Sequence, residues 1–347
     1  MADYIKIQGI EEKANGVYYR VKPNAEPIGI GGMGRVYKGE CVSELSGQVV
    51  RDVAVKFIYD DLPEDSDIVR RAKREASIQL RNDNLVEMLG FIVSEDCNEI
   101  GEPCKHYHVV SELLDGVTLQ DFLDGKLVNH QGLTLPFAEQ LYKDYLKSPE
   151  DVACKIVEAV LSGIRALHDE GYIHRDIDPS NIMLTSDGRI KLIDFGIAKK
   201  KVNLANTDSS YTISGQFIGK AKYASPEQVY GDVQHQDETT DIYAIGILFF
   251  QMITGHVPFD GPTVDVLEMQ VKKKLPLKEI KNGSLRRIIA KATAKRQADR
   301  FLSASEFRVA LDHRKAFDGR FDVPDSFLWG GGVVVGLVAG MLLALFI

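Results

Sequence analysis

The sequence predicts an α+β fold of two lobes, the first rich in strands and the second rich in helices, followed by one membrane-spanning helix. Residues 24–60 contain an alternating stretch and a stretch rich in β-branched and aromatic residues, both typical of strands. From Asp151 onward helical patterning dominates. Residues 327–347 carry no charge, and an apolar run of that length is long enough to cross a bilayer.

The strand-rich lobe is predicted over residues 24–114, after an N-terminal segment, 1–23, that has no assigned structure. Strands are expected in GRVYKGECVS and VRDVAVKFIYD, and again around VEMLGFIV and HYHVVSELL. Between these pairs, residues 64–81 are predicted to form a helix, because acidic residues at its start and basic residues later suit the helix dipole. This part of the chain should therefore be a sheet with one helix.

The helix-rich lobe is predicted over residues 115–312, with its longest helices in DVACKIVEAVLSGIRALHDEG and DIYAIGILFFQMITG. Residues 124–150 are expected to be an insertion, either helix or loop, without a chemical signature. A juxtamembrane linker, 313–326, follows this lobe. Strands first and helices second indicate two lobes rather than an alternating α/β fold.

Composition excludes several classes of protein. The 347 residues are 44% hydrophobic and 27% charged, with a net charge of −8, which argues for a folded chain and against nucleic acid as a partner. Four cysteines are too few to staple so long a chain and indicate a reducing compartment. The spacing of Cys97, Cys104, His106 and His108 is unusual for zinc, so we expect a polar hairpin there.

The uncharged C-terminal run is expected to be a membrane anchor, the alternatives being a buried core helix or a disordered tail. Trp329 lies at its entry, where an amphipathic ring prefers the interface. Basic side chains lie just upstream: Arg314, Lys315 and Arg320. The positive-inside rule then places the bulk of the chain in the cytoplasm, on a single-pass anchor formed by 327–347.

Three glycines in the anchor, Gly332, Gly336 and Gly340, repeat every four residues. Glycines at this spacing share one helical face and allow a second helix to approach closely. We therefore expect a homodimer contact there, although glycine is also simply common in membrane helices.

A glycine-rich motif and a lysine follow one another in the first lobe. Gly29, Gly31 and Gly34 form a GxGxxG pattern, which both dinucleotide-binding folds and protein kinases use. A strand rather than a helix follows the third glycine, which argues against the dinucleotide-binding fold. Lys56, in VAVK, is then expected to pair with ATP phosphates, and Glu75 on the following helix to hold it. The alternative for Glu75 is a solvated surface position.

The most specific motif is His174-Arg175-Asp176-Ile177-Asp178-Pro179-Ser180-Asn181, which is followed by Asp194-Phe195-Gly196. In HRD-x4-N followed by DFG each polar residue has a separate task. Asp176 is expected to orient the substrate hydroxyl and accept its proton. Asn181 and Asp194 are expected to hold Mg²⁺ against the phosphates.

Together these motifs resemble those of eukaryotic-like serine/threonine protein kinases, the bacterial members most, over residues 24–312. The resemblance implies a bilobal protein-kinase fold, ATP and Mg²⁺ as cofactors, and a protein substrate. It also implies that Glu227, in Ser225-Pro226-Glu227, ends the activation segment with Arg300 as its salt-bridge partner, and that Asp241 steadies the catalytic loop.

The resemblance further implies an adenine pocket at the hinge, Ser111-Glu112-Leu113-Leu114. The carbonyl of Glu112 and the backbone of Leu114 would bind the adenine edge. Three apolar side chains would sandwich the ring: Val36, Ala54 and Met183. These three residues could equally be ordinary core positions.

Two residues depart from the family pattern. Asp178 occupies the place of a lysine two residues after the catalytic aspartate, and Lys220 occupies the place of a threonine before Ser225-Pro226-Glu227. Because the family places these positions beside the γ-phosphate, we expect Lys220 to supply the missing charge, oriented by Asp178. The alternative is a catalytically weak pseudokinase, an ATP-binding membrane scaffold, since an unpaired carboxylate there opposes charge stabilisation.

Arg175, beside the catalytic aspartate, predicts control by phosphorylation of the activation loop, because a phosphate can pair with such an arginine. The candidate acceptors are Thr207, Ser209, Ser210, Tyr211, Thr212 and Ser214. If the anchor dimerises the chain, autophosphorylation in trans becomes plausible.

Overall fold

The computed structural model describes residues 4–59, 62–97, 103–194, 199–200 and 220–314, and within them the chain forms a strand-rich lobe and a helix-rich lobe. The first lobe is one antiparallel sheet in the order β1-β2-β4-β5-β7-β6, with β3 paired to the start of β4. Its strands are β1 (Ile5–Ile7), β2 (Val17–Val21), β3 (Gly29–Gly31), β4 (Gly34–Ser43), β5 (Val49–Ile58), β6 (Met88–Cys97) and β7 (Pro103–Glu112).

The sheet begins earlier than residue 24, where the sequence places the boundary of the first lobe. Strand β2 pairs with β4 along its whole length, and β1 pairs with β2. A short helix, α1 (Ile10–Ala14), connects them. Tyr19 and Val21 are buried against Val53 and Val55 of β5, so burial on one face of the sheet draws the N-terminal segment into the lobe.

Helix α2 (Asp67–Ser77) is shorter than the predicted 64–81. It begins after Ser66, whose hydroxyl accepts a hydrogen bond from the amide of Val69, as expected of an N-cap serine. It ends before Gln79. Ala72 and Glu75 are buried on its inner face, and this face packs against β6 and β7.

The second lobe is built around two long helices, α5 (Pro149–Asp169) and α7 (Glu238–Thr254), which pack against each other. Residues 242–250 of α7 are buried without exception, because other helices cover it on all sides. Those helices and the shorter ones are α3 (Leu119–Leu123), α4 (Pro136–Lys147), α6 (Pro226–Val229), α8 (Thr263–Lys272), α9 (Gly283–Ala292) and α10 (Ala304–Asp312). Helix α4 lies in the region where the sequence leaves helix or loop open.

Two small sheets support the loops that contain the most specific sequence motif. One sheet has the order β11-β10-β8, formed by β8 (Gly116–Thr118), β10 (Ile182–Thr185) and β11 (Ile190–Leu192). A second pairs β9 (Tyr172–Ile173) with β12 (Lys199–Lys200). The loop between β9 and β10 and the end of β11 carry the most specific sequence motif, so this lobe positions it.

Among the residues that the structure describes, none of the helices has the length and apolar character needed to cross a bilayer. The predicted anchor at 327–347, with Gly332, Gly336 and Gly340, lies outside the described residues. So do Phe195, Gly196 and the candidate phosphorylation sites between 207 and 214. Of the predicted Cys/His hairpin, His108 is buried on β7, where its ring lies edge-on to Phe57.

Candidate active site

The glycine-rich motif forms a tight hairpin between β3 and β4, in which Gly31 pairs with Gly34. A Cβ atom at Gly34 would lie 1.9 Å from the carbonyl oxygen of Phe57, so no other residue fits there without moving β5. A Cβ at Gly31 would meet nothing within 4 Å. The hairpin thus packs on the sheet at one glycine and leaves open space at another, which suits a phosphate-covering loop.

Three of the predicted nucleotide-binding side chains share one face of the sheet. Val36 lies directly opposite Lys56 across β4 and β5, and Ala54 precedes Lys56 by two residues on the same strand, which puts it on the same face. Met183 lies on β10 in the other lobe. Glu112 ends β7, and Leu114 follows it in the connection between the lobes.

The Glu112 side chain has a role that sequence reasoning missed. Its carboxylate accepts hydrogen bonds from the amide of Glu87, at 2.9 Å, and from the ammonium of Lys191 on β11. Lys191 also donates to the carbonyl of Leu85 and is buried. A lysine within the apolar strand of β11 was the available signal, because a buried lysine requires an anionic partner. This pair ties the connection between the lobes to the second lobe.

Lys56 contacts carboxylates from both lobes. Its ammonium donates to both carboxylate oxygens of Glu75, each at 3.0 Å, and lies 3.7 Å from a carboxylate oxygen of Asp194. Burial alone would lower the pKa of Lys56, but the two carboxylates outweigh burial and raise it. The lysine therefore stays charged, and it joins the strand lobe, helix α2 and the end of β11.

Asp176 is the candidate base. It is mostly buried, and the amide nitrogen of Asn181 donates to its carbonyl oxygen at 2.9 Å and to its carboxylate at 3.0 Å. Burial, together with the nearby charges of Asp178 and Asp194, raises the pKa of Asp176 to about 6, although Lys220 and the hydrogen bond from Asn181 act in the opposite direction. A carboxylate with a raised pKa is a better proton acceptor than an ordinary aspartate.

The same contacts test whether a magnesium ion fits. The side chain of Asn181 uses its nitrogen toward Asp176, which leaves its oxygen as a ligand. The Asp194 carboxylate is partly exposed toward the cleft. Carboxylate and amide oxygens are the ligands that Mg²⁺ prefers, so this pair of side chains fits the ion.

A buried aspartate from α7 holds the catalytic loop. The carboxylate of Asp241 accepts hydrogen bonds from the amides of His174 and Arg175, at 2.9 and 2.7 Å. The ring of His168 lies 2.8 Å from it, a contact that sequence reasoning missed. Arg175 has a φ of 70°, a conformation that costs a non-glycine residue energy and needs support. Asp241 supplies this support.

Asp178 and Lys220, which both depart from the family pattern, are in contact. The Lys220 ammonium lies 2.5 Å from one carboxylate oxygen of Asp178 and also hydrogen-bonds the hydroxyl of Ser180. The Asp178 side chain is 2% exposed, whereas that of Lys220 is 48% exposed. The same Asp178 oxygen accepts the amide of Ser180 at 2.7 Å. The two opposite charges therefore neutralise each other beside Asp176.

Beneath the segment that ends at Glu227, a buried ion pair fixes its position. Arg300 binds the two carboxylate oxygens of Glu227 with separate nitrogens, at 2.7 and 2.9 Å. Its other three N–H groups donate to backbone carbonyls of Thr239, Ala294 and Lys295. All five donors of the guanidinium are thus satisfied, which a buried arginine requires.

Comparison with known proteins agrees with this geometry. The model of the protein kinase domain family matches residues 23–307. The chain is 34% identical over 298 residues to a probable serine/threonine-protein kinase of Clostridium perfringens, covering 83% of this chain and 37% of that protein. It is 31% identical over 310 residues to the serine/threonine-protein kinase PrkC of Bacillus subtilis, covering 86% and 42%.

The serine/threonine-protein kinase PknB of Mycobacterium tuberculosis is similar to the same extent, at 30% identity over 292 residues, covering 82% of this chain and 41% of that protein. The chain thus spans about two fifths of the length of these curated relatives. Because the family model matches far more than half of the residues, the chain belongs to the protein kinase family.

Proposed function

We propose that this chain is an active serine/threonine kinase that transfers the γ-phosphate of ATP to a protein hydroxyl. The observation that carries the proposal is the Lys56–Glu75 ion pair, 3.0 Å long, in the same cleft as Asp176. That pair positions a charged lysine for the α and β phosphates. Hydrogen bonds from Asn181 hold Asp176, which orients the substrate hydroxyl and takes its proton.

Asn181 and Asp194 would hold magnesium, which supplies charge neutralisation at the phosphates when bound. The glycine hairpin covers the phosphates with its backbone. Val36, Ala54 and Met183 flank the base. Residues of the strand lobe are therefore proposed to bind most of the nucleotide, while residues of the second lobe hold the magnesium ion and transfer the proton.

Lys220 completes the proposed machinery. Its ammonium, held by Asp178, replaces the cation that the family carries on the catalytic loop itself. Because it neutralises Asp178, the carboxylate does not oppose charge stabilisation as it would in the pseudokinase alternative. The names of the relatives, serine/threonine-protein kinases, also favour the enzyme over the scaffold.

Incubation with Mg²⁺ and labelled ATP tests the proposal, with a generic protein substrate added or with autophosphorylation as the readout. We expect wild type to incorporate phosphate and Asp176→Asn to lose most of this activity, since the base is gone while the shape of the side chain remains. Equal incorporation by the two proteins would refute the enzyme proposal and leave the scaffold.

Activation-loop phosphorylation is proposed as the control of this activity, by autophosphorylation in trans. Arg175 is largely buried, and its Nε has no hydrogen-bond partner among the described residues. Burial, with a smaller contribution from the nearby cation of Arg74, lowers the pKa of Arg175 to about 10 against the opposing effect of the Asp241 carboxylate. A phosphate group on the activation loop would accept a hydrogen bond from the buried guanidinium, and its negative charge would offset the repulsion between Arg175 and Arg74. Mass spectrometry of active protein should find phosphate between residues 207 and 214; an unmodified loop would contradict this.

Membrane anchoring through residues 327–347 is likewise proposed, with the kinase domain on the cytoplasmic side. It is supported by the uncharged length of this run and by the basic residues upstream of it. The chain should float with phospholipid vesicles, and a variant without 327–347 should not. Cross-linking of Gly332→Cys chains in vesicles tests the proposed dimer contact.

A further inference from the structure

A buried glutamine of α8 holds the segment that carries Lys220. Residues 220–223 form a short turn, which we call the platform loop, ahead of Ser225. The side-chain nitrogen of Gln270 donates to the carbonyls of Lys222, at 2.7 Å, and Ala221, at 3.2 Å. Gln270 has no solvent exposure. The two N–H groups of this side-chain amide therefore donate to two successive backbone carbonyls of the platform loop.

The orientation of this amide is fixed from the other side. The hydroxyl of Tyr243 on α7 donates to the side-chain oxygen of Gln270 at 2.8 Å. That hydroxyl accepts a hydrogen bond from Lys295, also at 2.8 Å, and Lys295 donates again to the backbone carbonyl of Gln270 at 2.6 Å. Because Tyr243 accepts from Lys295, its single proton points to the amide oxygen. The amide nitrogen must then face the platform loop.

The platform loop makes two further contacts, one with the catalytic loop and one with α7. At its start, Lys220 contacts Asp178 and Ser180 of the catalytic loop. At its end, the hydroxyl of Tyr223 donates to the side chain of Gln251 at 2.6 Å. The residues predicted to bind the adenosine part and the α and β phosphates lie on other elements: on β3 to β5, at the end of β7, in the connection that follows it, and on β10. A shift of the platform loop would therefore move Lys220 against the catalytic loop and would leave Lys56, the glycine hairpin and the hinge in place.

We propose that Gln270 is a positioning residue for the protein substrate, which rests on the proposed kinase function. The hydroxyl of the protein substrate has to reach Asp176, and Lys220 of the platform loop contacts Asp178, two residues from Asp176, so a bound substrate lies beside this loop. By holding the carbonyls of Ala221 and Lys222, Gln270 keeps the platform loop ordered before the substrate arrives. A loop that is already ordered costs no binding free energy to immobilise, so the affinity for the substrate is higher. Gln270 touches neither substrate nor nucleotide and acts through the loop.

The test compares Gln270→Met, which keeps the length of the side chain and removes its hydrogen bonds, with Val266→Ala. Val266 lies one turn earlier on α8, is buried, and belongs to the apolar core. Its truncation therefore removes apolar packing from the same helix but removes no side-chain hydrogen bond to the platform loop. In Gln270→Met we expect the KM for a peptide substrate to rise roughly tenfold, the order expected when two buried hydrogen bonds are lost. The KM for ATP should stay within about twofold, since Lys56, the glycine hairpin and the hinge, which are proposed to bind most of the nucleotide, lie on other elements.

Gln270→Glu separates hydrogen bonding from size. It keeps the acceptor for Tyr243 but turns an oxygen toward the two carbonyls, so the rise in peptide KM should be at least as large as in Gln270→Met. Tyr243→Phe, which frees the amide to rotate, is the variant to use where a change at Gln270 prevents folding. It should give a smaller rise of the same kind.

Amide hydrogen exchange gives a readout that does not depend on activity. The amides of Tyr223 and Ala224 are bonded within the loop, to Lys220 and Ala221, and should lose protection in Gln270→Met but not in Val266→Ala. Unchanged protection would overturn the inference even if wild type transferred no phosphate. With active wild type, an equal rise in peptide KM in both variants, or an equal rise in the KM for ATP, would also overturn it.

Discussion

Replacing Lys220 by threonine should reduce phosphotransfer strongly, because it leaves the Asp178 carboxylate without its cation. Unit charges 2.5 Å apart interact by about 6–7 kcal/mol at an effective dielectric constant of about 20. Since the Lys220 side chain is 48% exposed, solvent screening leaves about 1–3 kcal/mol of this attraction. If the ammonium stabilises the transferring phosphoryl group by a similar amount, its removal lowers kcat by roughly 5- to 160-fold.

The reciprocal change, Asp178→Lys, should also reduce activity, since it brings two ammonium groups together. The double variant, Asp178→Lys with Lys220→Thr, restores one cation and one hydroxyl at these positions. We expect it to be more active than either single variant, with a coupling free energy of at least about 1.5 kcal/mol.

The assay is kcat with saturating Mg-ATP and peptide, accompanied by thermal unfolding of each variant. Lys143→Thr is a matched control, because its ion pair with Glu139 is exposed on α4 and such pairs contribute about 0–1 kcal/mol. Additive effects of the two single changes would refute the idea that Lys220 and Asp178 act as a unit.

Two further predictions concern buried charges. Activity should fall on acidification through about pH 6, where Asp176 becomes protonated. Asp178→Asn removes a negative charge beside Asp176 and so lowers the pKa of Asp176. The acid limb of kcat/KM should then move to lower pH. An unshifted limb would contradict this cause. Arg300→Lys keeps the charge but cannot keep both bonds to Glu227 and all three to backbone carbonyls, so it should lower the free energy of unfolding by about 1–3 kcal/mol. Urea denaturation measures it, with exposed Arg308→Lys expected to change it by less than about 0.5 kcal/mol.

Sequence reasoning was strongest where residues act close to one another along the chain. The order of strands and helices in the two lobes followed from periodicity, and helical spacing placed Glu75 on the buried face of α2. Sequence reasoning was less accurate about where the first lobe begins and where helix α2 ends. The N-terminal strands β1 and β2 have little signal of their own, because they are stabilised by burial against β4 and β5. Helix α2 ends before Gln79, since its cap and its packing rather than its pattern decide where it stops.

Sequence reasoning did not predict most contacts between segments that are far apart along the chain. The proximity of Asp178 and Lys220 was expected only through the family resemblance, and nothing in the sequence pointed to Gln270 beneath the platform loop. The lysine in strand β11 signals that Lys191 needs an anionic partner, but it does not say that the partner is Glu112. These partners are tens of residues apart, so no periodicity relates them. Only the path of the chain brings them together.

By itself, the sequence determined the residue types that carry the chemistry, their local spacing and the class of fold, because these depend on neighbours along the chain. The tertiary structure decided which charges meet and which are buried. It buries Asp178 with half-exposed Lys220 beside it, and it raises the pKa of Asp176 by enclosing it. Burial and long-range contact are properties of the packed chain, and they turn a set of motifs into a site with defined charges.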